Sequence, residues 1–310
     1  MTAGHLDVAV LGPGGVGGFL AAMLAREGCS VVVLAGESTS NAIDRGGLRL
    51  ESGKFGDFSA SVSTAPRLSS PVDACLVTVK STQLKEALGR APRTAMGSAL
   101  VVPFLNGIEH VELLRALYQP ASVAAATIRI ETARVAPGLI RHASPFAAVE
   151  MAATAENRDR VEPFASHLRA AGLDVRVRDD ETAMLWDKFA LIAPMALLTT
   201  HERGGVGVIR TKRRDDLTAL IAEVVAVAQA ADGVPVDPVT VLRLFDSVPE
   251  SMESSMQRDQ AAGLPLELDA LGGALLRRAA KAGIPVPVTS RLVRDLESRS
   301  GQTVDAGRAS

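Results

Sequence analysis

Val8-Ala9-Val10-Leu11-Gly12-Pro13-Gly14-Gly15-Val16-Gly17-Gly18-Phe19-Leu20 is the stretch from which the rest of the chain is read. Residues 8–11 are a short apolar run, glycines follow at once, and Phe19, Leu20, Met23 and Leu24 then recur at helical spacing. The pattern is strand, glycine turn, helix. Gly12, Gly14 and Gly17 satisfy G-x-G-x-x-G. In that motif the first glycine allows the tight turn, the second lets backbone approach a pyrophosphate, and the third lets helix and strand pack closely. Phosphates settle at the helix N-terminus, where unpaired N–H groups and the helix dipole favour negative charge. Gly12, Pro13, Gly14, Gly15, Val16 and Gly17 are therefore expected to cradle a dinucleotide.

Outward from this turn, the helix closes near Gly28 and residues 31–34 form a second continuous apolar strand of the kind buried in parallel sheets. Further strands are expected at 74–79 and 99–102, with a helix from Ser81, capped by Ser81 itself, and another over about 108–118. Strands alternating with helices point to an α/β, doubly wound sheet of Rossmann type. Beyond Tyr118 the texture changes. Strands are expected at 122–134, 139–142 and 147–152, with a turn at 136–138, then a helix over 158–171 and a strand over 174–177. From Asp179-Asp180 onward almost every segment has helical period. The expected organisation is a dinucleotide-binding domain over 1–179 and an all-helical substrate and catalytic domain over 180–310. The polar end, 298–310, reads as a frayed tail.

The chain has 310 residues, 47% hydrophobic and 22% charged, with a formal net charge of −2. That suits two ordinary domains and gives no basic excess of the sort nucleic-acid binders use against phosphates. Lys212-Arg213-Arg214 and Arg277-Arg278 with Lys281 read as solvated helix faces. Cys29 and Cys75 lack ligand or pairing spacing and read as free, buried thiols of a reducing compartment. Residues 1–7 show no secretory signal, and no apolar stretch approaches the roughly 20 residues of a membrane helix, so the expected location is cytoplasmic, without membrane or nucleic-acid partner. His201-Glu202 has no second histidine at metal-binding spacing, so no metal is expected. The apolar helix over 217–231 serves as core or as the face of a homodimer.

The cofactor's ribose is read at the end of the second strand, where an acidic residue holds a 2′-hydroxyl (NAD) and a basic one a 2′-phosphate (NADP). Here the residues are Gly36-Glu37-Ser38. Glu37 favours NAD, while the hydroxyls of Ser38, Thr39 and Ser40, with Arg45 nearby, suit a phosphate.

Four further ordered blocks accompany the glycine turn: Val79-Lys80-Ser81-Thr82-Gln83; Leu105-Asn106-Gly107; Trp186-Asp187-Lys188; and Ser254-Ser255-Met256 followed by Glu267-Leu268-Asp269. Together with the closing Leu275-Leu276-Arg277-Arg278-Ala279 and Gly283-Ile284-Pro285-Val286-Pro287, the set resembles the ketopantoate reductases (2-dehydropantoate 2-reductases) across nearly the whole chain. The resemblance implies a two-domain fold like that of 6-phosphogluconate dehydrogenase and NADPH-dependent reduction of a 2-keto acid in pantothenate biosynthesis. It implies Lys188 as the general acid that polarises and protonates the keto oxygen. Glu267 would position Lys188, Ser255 would hydrogen-bond the substrate carboxylate, and Lys80 and Asn106 would lie where nicotinamide ribose meets substrate. Trp186 reads as a domain-interface anchor.

The sequence departs from the family in two places. Members commonly carry asparagines four and eight residues after the lysine, on the same helical face; here those positions are Ile192 and Ala196. Gly36 stands where many members have an arginine for the 2′-phosphate, which leaves NAD open beside NADP. Two other readings compete: an opine-type or hydroxyacyl-type dehydrogenase on the same plan, and a dinucleotide-binding protein without catalysis. None of the five histidines sits in a block suited to the hydroxyacyl reaction.

Overall fold

A computed structural model describes residues 5–305. Residues 1–4 and 306–310, on which parts of the N-terminal and polar-tail readings fall, lie outside the described residues. The chain divides into two compact units: Met1–Leu105 with His110–Glu181, and Asn106–Glu109 with Thr182–Ser310. The four residues from Asn106 therefore belong with the helical unit, although the sequence reading keeps them in the first domain. Within that unit Glu109 pairs with Arg277 at 2.6 Å, and Ile108 is buried in the helical unit's apolar cluster.

The strands of the first unit are β1 (Asp7–Leu11), β2 (Ser30–Leu34), β3 (Leu48–Ser52), β4 (Phe58–Ala60), β5 (Ser63–Ala65), β6 (Ala74–Val77), β7 (Leu100–Pro103), β8 (Ala126–Arg129), β9 (Thr132–Ala136), β10 (Leu139–His142), β11 (Ala148–Ala152) and β12 (Asp174–Arg178). Its helices are α1 (Gly15–Arg26), α2 (Glu37–Gly46), α3 (Leu84–Ala87), α4 (Arg93–Met96), α5 (His110–Leu117) and α6 (Arg158–Ala170). Five strands form a parallel sheet in the order β5-β2-β1-β6-β7. The chain leaves β1 toward β2 and β5, then returns to the other side of β1 for β6 and β7, so the winding reverses between β1 and β6. Ligands of such sheets bind outside the strands' carboxyl ends at that switch. Both faces are covered, and Val8, Val10, Val33, Leu76 and Val102 are buried among Phe19, Leu20 and Leu24 of α1.

The rest of the first unit is less simple than the sequence reading. The strand expected over 122–134 is two strands in two sheets: β8 joins β11 and β12, and β9 joins β10, β3 and β4. The break falls at Ile130-Glu131, where Ser144 Oγ accepts the Glu131 N–H at 3.0 Å and diverts it from a continuous ladder. The sequence reading has no counterpart for α2 or for the strands β3 to β5, although β3 alternates buried Leu48, Leu50 and Ser52 with less buried Arg49 and Glu51. Ser81 does not cap a helix; it begins a short 3₁₀ turn, Ser81–Gln83, and Lys80 holds its N-cap position. Cys29 and Cys75 are free and buried, and burial pushes their thiols up to about 11 and about 12.

The second unit contains α7 (Glu181–Glu202), α8 (Val206–Lys212), α9 (Arg214–Asp232), α10 (Pro238–Ser247), α11 (Ser255–Ala261), α12 (Ala274–Ala282) and α13 (Pro287–Ser300). On α9, Leu217, Leu220, Ile221, Val224 and Val227 lie in the unit's own core. The helix α7 corrects the sequence reading. By length and composition alone it could cross a membrane, but 67% of its apolar stretch is buried inside the protein, as in a core helix. The basic clusters are mostly spent on carboxylates. Arg213 bonds Glu202 at 2.8 Å, Arg214 bonds Asp246 at 2.6 Å and Arg278 bonds Asp232 at 2.6 Å, while Lys212 and Lys281 remain exposed. The polar end is held further than expected, because Val304 N–H donates to Glu297 at 2.6 Å and Leu266 N–H donates to Gln302 at 3.0 Å.

Candidate active site

Gly12 takes φ +97°, a left-handed conformation, and a side chain there would also press on Val79. At Gly17 a Cβ would collide with Thr78 Oγ1 and the Gly12 carbonyl, so the third glycine permits close packing of α1 on β6. Gly14 is the N-cap of α1, with no side-chain cap and no acidic residue in the first turn. A Cβ at Gly14 would meet nothing within 4 Å. The opening N–H groups of a helix have no intrahelical acceptor, so this turn offers donors, positive dipole and open space to an anion. These features fit a pyrophosphate. Thr78, one residue past β6, closes the switch point: its N–H bonds the Leu11 carbonyl at 2.9 Å and its hydroxyl bonds the Gly12 carbonyl at 2.7 Å. Sequence reasoning missed Thr78, whose only signal is a polar residue directly after an apolar strand.

At the end of β2, Gly36 is the N-cap of α2, with Glu37 and Ser38 exposed in its first turn and Thr39 buried. Arg45 sits in the last turn of the same helix, about 13 Å along the axis from Gly36, so it lies far from the phosphate position the sequence reading gave it. Lys80 is half-buried at the carboxyl end of β6, the same end as the glycine turn.

The remaining proposed residues lie in the helical unit. Lys188 on α7 is only 6% exposed and Glu267 only 4%. Asn106 Nδ2 donates to Glu267 Oε2 at 3.1 Å across 161 positions of sequence. Two features position this pair. Gly107, at φ +94°, brings backbone so near the Ala270 carbonyl that a Cβ would stand 2.6 Å from it. After Glu267 the chain winds as a π-helix, Asp269–Gly273, before α12. Such bulges mark functional sites often, and its sequence signal is the Gly272-Gly273 pair, where a Cβ on Gly272 would strike Val293.

Residues i, i+4 and i+8 share a helical face, so Lys188, Ile192 and Ala196 line one side of α7, Ile192 half-buried and Ala196 buried. Ser255 is exposed in the first turn of α11. The N-cap is its neighbour Ser254, whose hydroxyl accepts from Gln257 N–H at 3.1 Å and from Thr199 of α7 at 2.7 Å, tying the two helices together. Trp186, read from the sequence as a domain-interface anchor, belongs to the helical unit's apolar cluster. It is 1% exposed in the helical unit's own core, its Nε1 donating to Asp232 at 2.7 Å and its ring edge-on to Phe189. His201 bonds Glu202 at 2.8 Å and Asp295 at 3.2 Å, and among the described residues no group of three or more His, Cys, Asp or Glu is placed to hold a metal ion.

Two family models match this chain: ketopantoate reductase PanE/ApbA over residues 8–156, and the C-terminal part of the same family over residues 180–299. A 2-dehydropantoate 2-reductase of Mycobacterium tuberculosis is 31% identical over 300 residues, spanning 94% of this chain and 97% of that protein. The crystal structure of a PanE/ApbA family ketopantoate reductase from Ralstonia eutropha JMP134 superposes with a TM-score of 0.84 at 31% identity, over 96% of this chain and 100% of that one. A D-mandelate dehydrogenase, solved with NADH and anilino(oxo)acetate, superposes with a TM-score of 0.88 at 19% identity, over 96% of this chain and 99% of that one. That last likeness is one of fold.

Proposed function

Because this chain belongs to the PanE/ApbA family of ketopantoate reductases, we propose that it reduces 2-dehydropantoate, or a related 2-keto acid with a more apolar side chain, to the 2-hydroxy acid with NADPH as hydride donor. It is an oxidoreductase of the class acting on CH–OH groups, and its family binds dinucleotides. One observation carries the assignment of the site: the Asn106–Glu267 hydrogen bond joins two separate sequence blocks in the unit that also buries Lys188.

The bound nicotinamide supplies hydride to the carbonyl carbon. The glycine turn of the first unit would hold the pyrophosphate, and Lys80 would reach the ribose from the end of β6. As charge develops on the carbonyl oxygen, the Lys188 ammonium would stabilise it and deliver the proton that completes the hydroxyl, afterwards regaining one from water. Burial strengthens that interaction, since a low local dielectric screens it less. Glu267, itself held by Asn106, would orient Lys188, and the exposed Ser255 hydroxyl would take the substrate carboxylate. Ile192 and Ala196 offer no hydrogen bond to a substrate hydroxyl. That favours the apolar end of the substrate range, because a site lacking such groups does not discriminate for them.

The test is a spectrophotometric screen of NADPH and NADH against 2-dehydropantoate and smaller or more apolar 2-keto acids, with Lys188→Ala in parallel. Oxidation of cofactor by at least one 2-keto acid, lost in Lys188→Ala with cofactor binding retained, is expected. Binding of cofactor with no turnover across the panel would support a non-catalytic protein, and turnover surviving in Lys188→Ala would remove the lysine from the acid's role.

A further inference from the structure

The cation for a 2′-phosphate is missing from the end of β2, where Gly36 stands, and α2 carries Arg45 away to its far end. Another arginine is brought there by the tertiary structure. Arg90, which ends the 3₁₀ turn Leu88–Arg90 following α3, donates from Nη1 to the Ala35 carbonyl at 3.1 Å and to the Pro66 carbonyl at 3.1 Å. Ala35 directly follows β2 and Pro66 directly follows β5, and these strands are neighbours in the sheet, paired at Leu34 with Ala65. The guanidinium is thus pinned across the carboxyl ends of two adjacent strands.

Both bonds come from Nη1, which leaves the donors of Nε and Nη2. A guanidinium presents a planar fork suited to phosphate oxygens. Beside it, Gly36 contributes no side chain, and a Cβ there would meet nothing within 4 Å, so the space next to its Cα is open. Glu37 is exposed at the start of α2 rather than buried toward the strand end.

Resting on the reading that the first unit binds a dinucleotide, we infer that Arg90 recognises the 2′-phosphate of the cofactor and makes this chain NADP-preferring. The specificity residue is supplied from the connection after β6 instead of from the end of β2. The anchoring carbonyls already hold the arginine in place, so little of its side-chain freedom is lost on binding.

The experiment compares adenosine 2′,5′-bisphosphate with 5′-AMP, and NADPH with NADH, by calorimetric titration of the full chain. The wild type is expected to bind each 2′-phosphorylated member at least about tenfold more tightly, the range of one hydrogen bond to a charged group. Arg90→Gln, which keeps an amide donor for the carbonyls, is expected to abolish that ratio while 5′-AMP and NADH affinities stay within about twofold. Gly36→Asp places an acidic N-cap, well tolerated at such a position, beside the same subsite and is expected to invert the ratio. Equal binding of the two members by the wild type, or a ratio that survives in Arg90→Gln, overturns the inference. Should Arg90→Gln not fold, an unchanged ratio in Gly36→Asp overturns it. Failure of all four nucleotides to bind would instead overturn the dinucleotide reading itself.

Discussion

The side-chain amide of Asn106 donates to the carboxylate of Glu267 at 3.1 Å, and that single contact joins a loop residue just past β7 to a residue 161 positions later. The carboxylate is 4% exposed, so its hydrogen bonds cannot be replaced freely by water.

Removing the donor should therefore be felt twice. Asn106→Ala is expected to destabilise the helical unit by about 1–3 kcal/mol, the cost of leaving a buried acceptor short of a partner. It should also lower kcat more than it raises KM, if Glu267 positions the acid. A double-mutant cycle with Glu267→Gln should show non-additive stability, with coupling of about 0.5–3 kcal/mol. Additive effects in both readouts would mean the two side chains act independently.

On the proposed reading, the apolar face of α7 that carries Lys188, Ile192 and Ala196 meets the substrate's side chain. Ile192→Asn, four residues after Lys188, is expected to raise kcat/KM for a hydroxylated 2-keto acid relative to its dehydroxylated analogue by about tenfold, the equivalent of one hydrogen bond. Kinetics on a matched pair of such substrates would show it. An unchanged ratio would place the substrate's side chain elsewhere.

At the glycine turn, Gly17→Ala forces a methyl group against Thr78 Oγ1 and the Gly12 carbonyl. Overpacking of this kind costs about 1–3 kcal/mol, and the displaced turn should weaken dinucleotide binding. Thr78→Val keeps the volume but removes the hydroxyl bonds to Leu11 and Gly12 carbonyls, with an expected loss of about 1 kcal/mol. Thermal unfolding with and without cofactor separates the two: Gly17→Ala should shrink the cofactor-induced rise in Tm more than Thr78→Val does.

One buried histidine should make stability depend on pH. His142 is 3% exposed, bonded to Ser52 at 2.8 Å and to Ser144 at 3.0 Å. Burial holds its pKa below the ordinary 6.5, against a raising contribution from the Phe146 carbonyl. The unfolded chain therefore takes up this proton first. The contribution of the neutral ring is fully present above pH about 6.5 and is lost as pH falls through that value toward the lower folded one. Chemical denaturation between pH 7.5 and 5 should show falling stability, with a shallower decline in His142→Gln. Parallel slopes for the two proteins would assign the dependence to other groups.

Residues close together in sequence determined much of what this chain is. The glycine turn, its flanking strand and helix, the buried thiols and the long helical second half were all legible, because each depends on local spacing and on apolar runs that only one kind of element can bury. The identities of Lys188, Glu267, Asn106 and Lys80 as candidates were legible only as ordered blocks resembling a family. What the tertiary structure decided was which of these meet and what surrounds them. It moved Asn106 to Glu109 into the helical unit, buried Trp186 in that unit's own core, and pinned Arg90 at the β2 end. It also divided one expected strand between two sheets at Ile130-Glu131. These outcomes rest on hydrogen bonds and packing between positions tens to more than a hundred residues apart. Local periodicity is blind to such pairings, because the energy that selects them exists only once the elements have come together.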